Sequence, residues 1–139
     1  YEGSLSLWVG FEKIINSKDL IMDFLMSKAL DGEVIIIEIP KRLSADISDN
    51  FRDFLYNLVE KGKCKIVIDL SKTEYVDSSG LGAIVSRIAV CRSNKGDIRL
   101  ASPKEFMDYQ LKITHLDQVL KTYKDTNAAV DSFKSMSFK

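Results

Sequence analysis

Two hydroxyls, a carboxylate and two glycines stand together in Asp77-Ser78-Ser79-Gly80-Leu81-Gly82. Gly80-Leu81-Gly82 begins like a dinucleotide-binding turn. That pattern needs Gly or Ala three residues past its second glycine, where this chain has Val85. A hydrolase elbow, Gly-x-Ser-x-Gly, needs a glycine two residues before its nucleophile. Ser78 has Val76 there and Ser79 has Asp77. What remains is a small, hydroxyl-rich surface where a strand runs into a helix. Ser78 reads there as an N-cap, accepting a free backbone N–H, and the glycines permit close approach of helix to strand. A cap alone does not call for two hydroxyls and two glycines together. Such a surface suits docking by another protein, and it suits phosphorylation. A phosphate adds about −1.5 to −2 charges and is tolerated at the positive end of a helix. The same charge, beside Asp77, would disrupt a dry or acid-lined interface without unfolding the domain.

Other chemistries find little to work with. A Ser-His-Asp triad would have to use His115, the single histidine, which reads better as a structural residue. There is no P-loop, and no His/Cys/carboxylate cluster for a metal. Cys64 and Cys91 belong to no Cys-x-x-Cys pair and read as reduced, buried thiols. No enzyme activity, no cofactor and no metal is expected.

The elements that position the loop follow from apolar spacing. Asp31-Gly32 is a turn, Val34 to Ile39 a β-branched strand ended by Pro40. Phe51, Phe54, Leu55, Leu58 and Val59 mark a helix, with capping oxygens offered by Ser48, Asp49 and Asn50 and a stop at Gly62. Lys65 to Leu70 is a second buried strand. Leu81, Ile84, Val85, Ile88 and Ala89 mark one helix running on to Gly96, and Ile98 to Ala101 a third strand. Ser102-Pro103-Lys104-Glu105 reads as a capping box with Pro at the first helical position. Val119 to Tyr123 is a last strand, and Thr126 caps a closing helix with Ala129, Val130 and Phe133 inward. Alternating strands and helices predict an α/β fold with parallel pairing. Met22, Phe24 and Met26 alternate as in a strand, which a hairpin through Asp31-Gly32 would place at a sheet edge. Leu7, Phe11, Ile14 and Ile15 are spaced as in an N-terminal helix, with Trp8 in core or interface.

The 139 residues predict one domain, and 20 basic against 20 acidic side chains predict no nucleic-acid partner. Apolar runs such as Val34-Ile35-Ile36-Ile37 fall far short of the ~18 residues a membrane span needs. No signal-peptide pattern is visible, although the sequence opens on Tyr1. A cytoplasmic protein is expected.

Residues 21 to 134 resemble the STAS domain family, named for sulfate transporters and anti-sigma factor antagonists. The likeness rests on Val67-Ile68-Asp69-Leu70, on Tyr75-Val76-Asp77-Ser78-Ser79-Gly80-Leu81-Gly82, and on Leu116-Asp117-Gln118-Val119-Leu120 followed by Tyr123. Ala128 and Ala129 stand where the family's last helix begins. The resemblance implies a mixed β-sheet with about four helices in residues 21–139; residues 1–20, with their helix-like apolar spacing, are expected to be an N-terminal helical extension to it. It further implies an anti-sigma factor antagonist. Unphosphorylated, such a protein binds an anti-sigma factor that is also a serine kinase, and a sigma factor is released. The kinase modifies the serine after the motif Asp, here Ser78, and a serine phosphatase reverses this. The implied docking surface is Asp77, Ser78, Ser79, Gly80, Leu81 and Gly82 with Arg42 and Ser44.

The chain departs from the family pattern in three places. Pro40-Lys41-Arg42-Leu43-Ser44 keeps Arg42 and Leu43 of a Gly-Arg-Leu-Asp type turn that borders the phosphorylation site, without its glycine or acid. His115 stands where the family has Gly before Leu116, which predicts a positive φ. Residues 1–20 exceed the minimal domain, as the end of another module or a dimerising helix, so a homodimer stays open. Two alternatives also stay open: a STAS accessory domain of an anion or lipid transport system, and a module binding a small anion or nucleotide at a helix N-terminus.

Overall fold

The alternation inside one short strand organises the molecule. A computed structural model describes residues 12, 13 and 24–134. Its main sheet has the order β1 (Glu12–Lys13), β2 (Leu25–Ala29), β3 (Val34–Glu38), β5 (Lys65–Asp69), β7 (Asp97–Ala101) and β8 (Thr122–Tyr123). A separate parallel pair joins β4 (Arg42–Leu43) to β6 (Tyr75–Val76). The pairs β1–β2 and β2–β3 are antiparallel, and the remaining neighbours are parallel. Along β3, Ile35 and Ile37 enter one core while Val34 and Ile36 enter another. A strand buried on both faces carries no polar alternation, which is why the segment reads as an unbroken apolar run.

The larger core lies under four helices: α1 (Ala45–Glu60), α2 (Ser78–Val85), α3 (Ile88–Ser93) and α4 (Glu105–Ile113). Phe51, Leu55, Ile84, Cys91, Met107 and Leu111 meet Ile35, Ile37, Ile66, Ile68 and Leu100 there. The opposite face is covered by α5 (Thr126–Asp131) with Ala129, Val130 and Phe133, as expected. The mixed α/β architecture expected from the sequence is therefore present.

Several element starts differ from expectation. α1 begins one turn early: its N-cap is Ser44, whose carbonyl accepts from Ile47 and Ser48 N–H groups. Ser48, expected as a cap, is buried within the helix. The helix expected to run on toward Gly96 breaks at Ser86-Arg87. The Ser86 hydroxyl donates to Ala83 O at 2.7 Å, and Arg87 leaves helical geometry with its guanidinium over the Tyr56 ring. Ser102 and Pro103 do not open α4. The β7–β8 pairing claims Ser102, whose N–H and hydroxyl donate to Tyr123 O and Lys124 O, and Lys104 becomes the N-cap. Asp125, rather than Thr126, caps α5 by accepting from Ala128 N–H at 2.8 Å. The last strand shrinks to Thr122–Tyr123 because Leu116–Gln118 form a 3-10 turn, entered through His115 at φ 63° as its type allows.

The Asp31-Gly32 hairpin forms, with Gly32 at φ 87°. Phe24 leads into β2 and packs 5.2 Å from the Phe51 ring and 5.5 Å from the Phe54 ring. β2 is not the sheet edge, because Glu12–Lys13 pair with Met26 and Leu25. At those two residues a strand replaces the expected helix. Leu7, Trp8, Phe11, Ile14, Ile15 and Met22 lie outside the described residues. Cys64 and Cys91 are buried and unbridged, and burial with the Cys64 thiol beside it pushes the Cys91 thiol up to about 12. Among the described residues no helix is long and apolar enough to cross a membrane.

Candidate functional site

The loop after β6 is built on Asp77. The chain leaves β6 extended at Asp77 (φ −91°, ψ −175°) and turns at once into α2. Asp77 is the N-cap, a role expected of Ser78. Its Oδ1 accepts from Gly80 N–H at 2.9 Å and from the Ser79 hydroxyl at 2.6 Å. Its Oδ2 accepts from Ala45 N–H at 3.2 Å, the first residue of α1. One carboxylate thus faces the positive ends of two helices. The Ser79 hydroxyl above all, then the Gly80 N–H, holds this carboxyl below the usual carboxylate value; partial burial opposes them and the Ala45 N–H assists.

The two serines then diverge. Ser79 is half-buried, and its hydroxyl, while donating to Asp77, also lies 3.0 Å from the Ser48 hydroxyl. Ser48 Oγ also lies 2.8 Å from Ser44 O, so its single proton is shared between that carbonyl and the Ser79 oxygen. Ser78 occupies the first helical position, is exposed, and its hydroxyl has no hydrogen-bond partner among the described residues.

The glycines follow from space. A Cβ on Gly80 would stand 2.5 Å from Leu43 O and 2.8 Å from Val76 Cγ1, so any side chain would force α2 away from the β4–β6 pair. A Cβ on Gly82 would stand 3.2 Å from Arg52 Nη2.

The β4–β6 pairing also brings the distant segment 40–44 to the loop. Arg42 pairs with Tyr75 in register, and its guanidinium lies 4.3 Å from the centre of the Tyr75 ring. Leu43 O accepts from Asp77 N–H. Ser44 caps α1, and its hydroxyl donates to Asp46 Oδ1 at 2.7 Å. The eight residues picked out in the sequence are therefore one neighbourhood. Gly80 and Leu81 are buried beneath it, and Ser78, Arg42, Ser44 and Gly82 carry its accessible part.

The STAS domain pattern matches residues 26–129. The chain belongs to the STAS domain family. A Thermotoga maritima protein provisionally named an anti-sigma factor antagonist is 30% identical over 103 residues, 73% of this chain and 91% of that protein. A crystal structure from Thermotoga maritima under the same provisional name has a TM-score of 0.73 at 28% identity, covering 80% of this chain and 94% of that one. The anti-sigma factor antagonist SpoIIAA, in its unphosphorylated form, has a TM-score of 0.62 at 18% identity, covering 80% and 97%. The last likeness shows the fold alone.

Within this STAS domain, three contributors to the site are not among the residues the sequence assigns to it: Ser48, Arg52 and Tyr75. Ser48 had a signal. It stands three before Phe51 and seven before Leu55, on the apolar stripe of α1, where a hydroxyl needs a partner. Arg52, one turn further, faces the same neighbour helix and donates to Gly82 O at 3.4 Å. Tyr75 had none, because its ring is matched to Arg42 only by the strand pairing.

Proposed function

We propose that this STAS domain, residues 21–139 behind an extension of residues 1–20, is a phosphorylation-switched antagonist of an anti-sigma factor. The observation that carries the reading is the contrast of the serines: Ser78 offers a surface hydroxyl with no partner among the described residues, whereas Ser79 is tied to Asp77 and Ser48. The provisional name of the Thermotoga relatives supports it. So does the fact that SpoIIAA, of the same fold, has been solved in a phosphorylated form.

On this reading the unmodified surface around Ser78, Arg42 and Ser44 docks an anti-sigma factor that is also a serine kinase, in the cytoplasm, and a sigma factor is freed. Ser78 Oγ attacks the γ-phosphorus of the kinase's ATP. An Oγ–P bond forms, the bond to ADP breaks, and the hydroxyl proton passes to a base on the kinase. A serine phosphatase hydrolyses the ester, returning the hydroxyl and inorganic phosphate. The added charge of about −1.5 to −2 sits beside Asp77 and repels an acidic or dry partner face. The fold survives, because the charge lies at the positive end of α2. The chain itself supplies docking and the acceptor hydroxyl, and no catalytic group.

The test is binding and phosphorylation with the purified serine-kinase anti-sigma factors of its own genome. Ser78→Ala is expected to bind as wild type and to take no phosphate. Ser78→Asp is expected to bind about tenfold more weakly, about 1.4 kcal/mol. Equal binding by wild type and both variants would defeat the switch. Co-purification with a transporter and an unmodified Ser78 would instead favour a transport accessory role.

A further inference from the structure

Arg52 is a cation whose surroundings point beyond its present bond. It lies on α1, and its Nη1 donates to Gly82 O at 3.4 Å. That carbonyl belongs to the last turn of α2, where helix carbonyls lack partners of their own. The bond is long, the side chain is half-buried, and among the described residues Arg52 forms no ion pair.

Gly82 decides where this guanidinium can stand. A side chain at position 82 would lie over the turn preceding its own Cα, the turn that opens with Ser78. Glycine leaves that strip bare, and Arg52 Nη2 borders it, 3.2 Å from the Cβ position. Ser78 and Gly82 are four residues apart, so they share a helix face with about 5–6 Å between Cβ positions. Among the described residues, an exposed hydroxyl and an arginine with no carboxylate partner therefore flank one uncovered strip of α2.

We propose that Arg52 is the intramolecular receptor of a phosphate on Ser78. This rests on Ser78 being the acceptor, and it adds how the modified state is held. A phosphoserine presents three acceptor oxygens, and a guanidinium fork binds such oxygens in pairs. Unmodified, Arg52 caps the end of α2 through Gly82 O. Modified, it turns to the phosphate, shields the new charge from Asp77 and closes the bare strip. The modification then changes the shape of the docking surface as well as its charge. Ser78→Asp, shorter and singly charged, reproduces only part of that.

The test places phosphoserine at position 78 of the full chain by genetic encoding, so no kinase is needed. Phosphorus NMR then follows the phosphate's second ionisation, ordinarily near 6, in wild type, Arg52→Gln and Arg52→Lys. Arg52→Gln is expected to raise that ionisation by about half a pH unit or more, about threefold in proton affinity. Arg52→Lys is expected to fall between the two. In wild type the Arg52 Nε–H resonance is expected to move as the phosphate titrates, a reading that holds even if a variant fails to fold. Identical titrations in all three proteins with a stationary Arg52 resonance would overturn the proposal. Because the phosphate is installed by design, the result is independent of whether cells modify Ser78. An unmodified Ser78 in cells would defeat the switch and leave this measurement standing.

Discussion

Ser78 and Ser79 are chemically identical neighbours in opposite environments. Ser79 clasps Asp77 from the side that also touches Ser48, so its loss should loosen both groups at once. With Ser79→Ala the Asp77 carboxyl loses the largest contribution to its lowered ionisation, and NMR titration should find its value moved up toward the ordinary ~4. A carboxyl lowered by folding stabilises the fold fully above its unfolded value, and that contribution is lost as pH falls through the folded value. The stability gap between wild type and Ser79→Ala, read by urea unfolding, should therefore be widest near neutrality and narrow below about pH 4. A gap that did not change with pH would mean that Ser79 acts by packing alone. At this scale the sequence puts two adjacent serines at the loop but does not tell their environments apart, exposed for Ser78 and half-buried against Asp77 for Ser79. The cap assignment went to Ser78 because spacing alone does not tell which oxygen faces the free N–H groups.

Elements fix the loop through backbone proximity. β4 and β6 are two residues each, yet their pairing carries Arg42 to Tyr75 and Leu43 to the underside of Gly80. Gly80→Ala should gain helix propensity and still lose stability, by about 1–3 kcal/mol, because the Cβ meets backbone oxygen rather than a yielding side chain. Thermal unfolding checks this, and a neutral or stabilising result would mean that α2 can shift freely. Strong periodic segments such as Phe51 to Val59 and Ile66 to Leu70 were legible, since burial writes its period into the chain. Element ends were not. Ser86, Ser102 and Asp125 answer to partners far along the chain or to local hydroxyl bonds, and no spacing rule contains those partners.

Across the whole molecule the two cores are held in different ways. Beneath α1 to α4 the packing is apolar. On the other face, buried Arg99 joins β7 to the end of the chain: it pairs with Asp97 at 2.9 Å, donates to Ser132, and lies 4.5 Å from the centre of the Phe133 ring. Asp97 also pairs with Arg92 at 2.9 Å. Asp97→Ala removes the buried carboxylate that Arg92 and Arg99 share and should cost about 1.5–3 kcal/mol in urea unfolding. A loss under about 1 kcal/mol would show that the network is dispensable. Neither Asp97 nor Arg99 takes part in the Asp77 hydrogen bonds, so this variant should leave the proposed docking at Ser78 unchanged at temperatures where it is folded. The formal charge of the chain is zero, so a phosphate of about −2 makes it net negative and adds to the negative charge that Asp77 already gives the loop.

Ser78, and not Ser79, is the proposed switch. Site-resolved phosphopeptide mass spectrometry on the protein isolated from its native cells tests it most directly. Phosphate on Ser78, with Ser79 unmodified, is the expected result. Phosphate on Ser79, or a peptide through Gly82 that stays unmodified across growth and stress conditions, would contradict it.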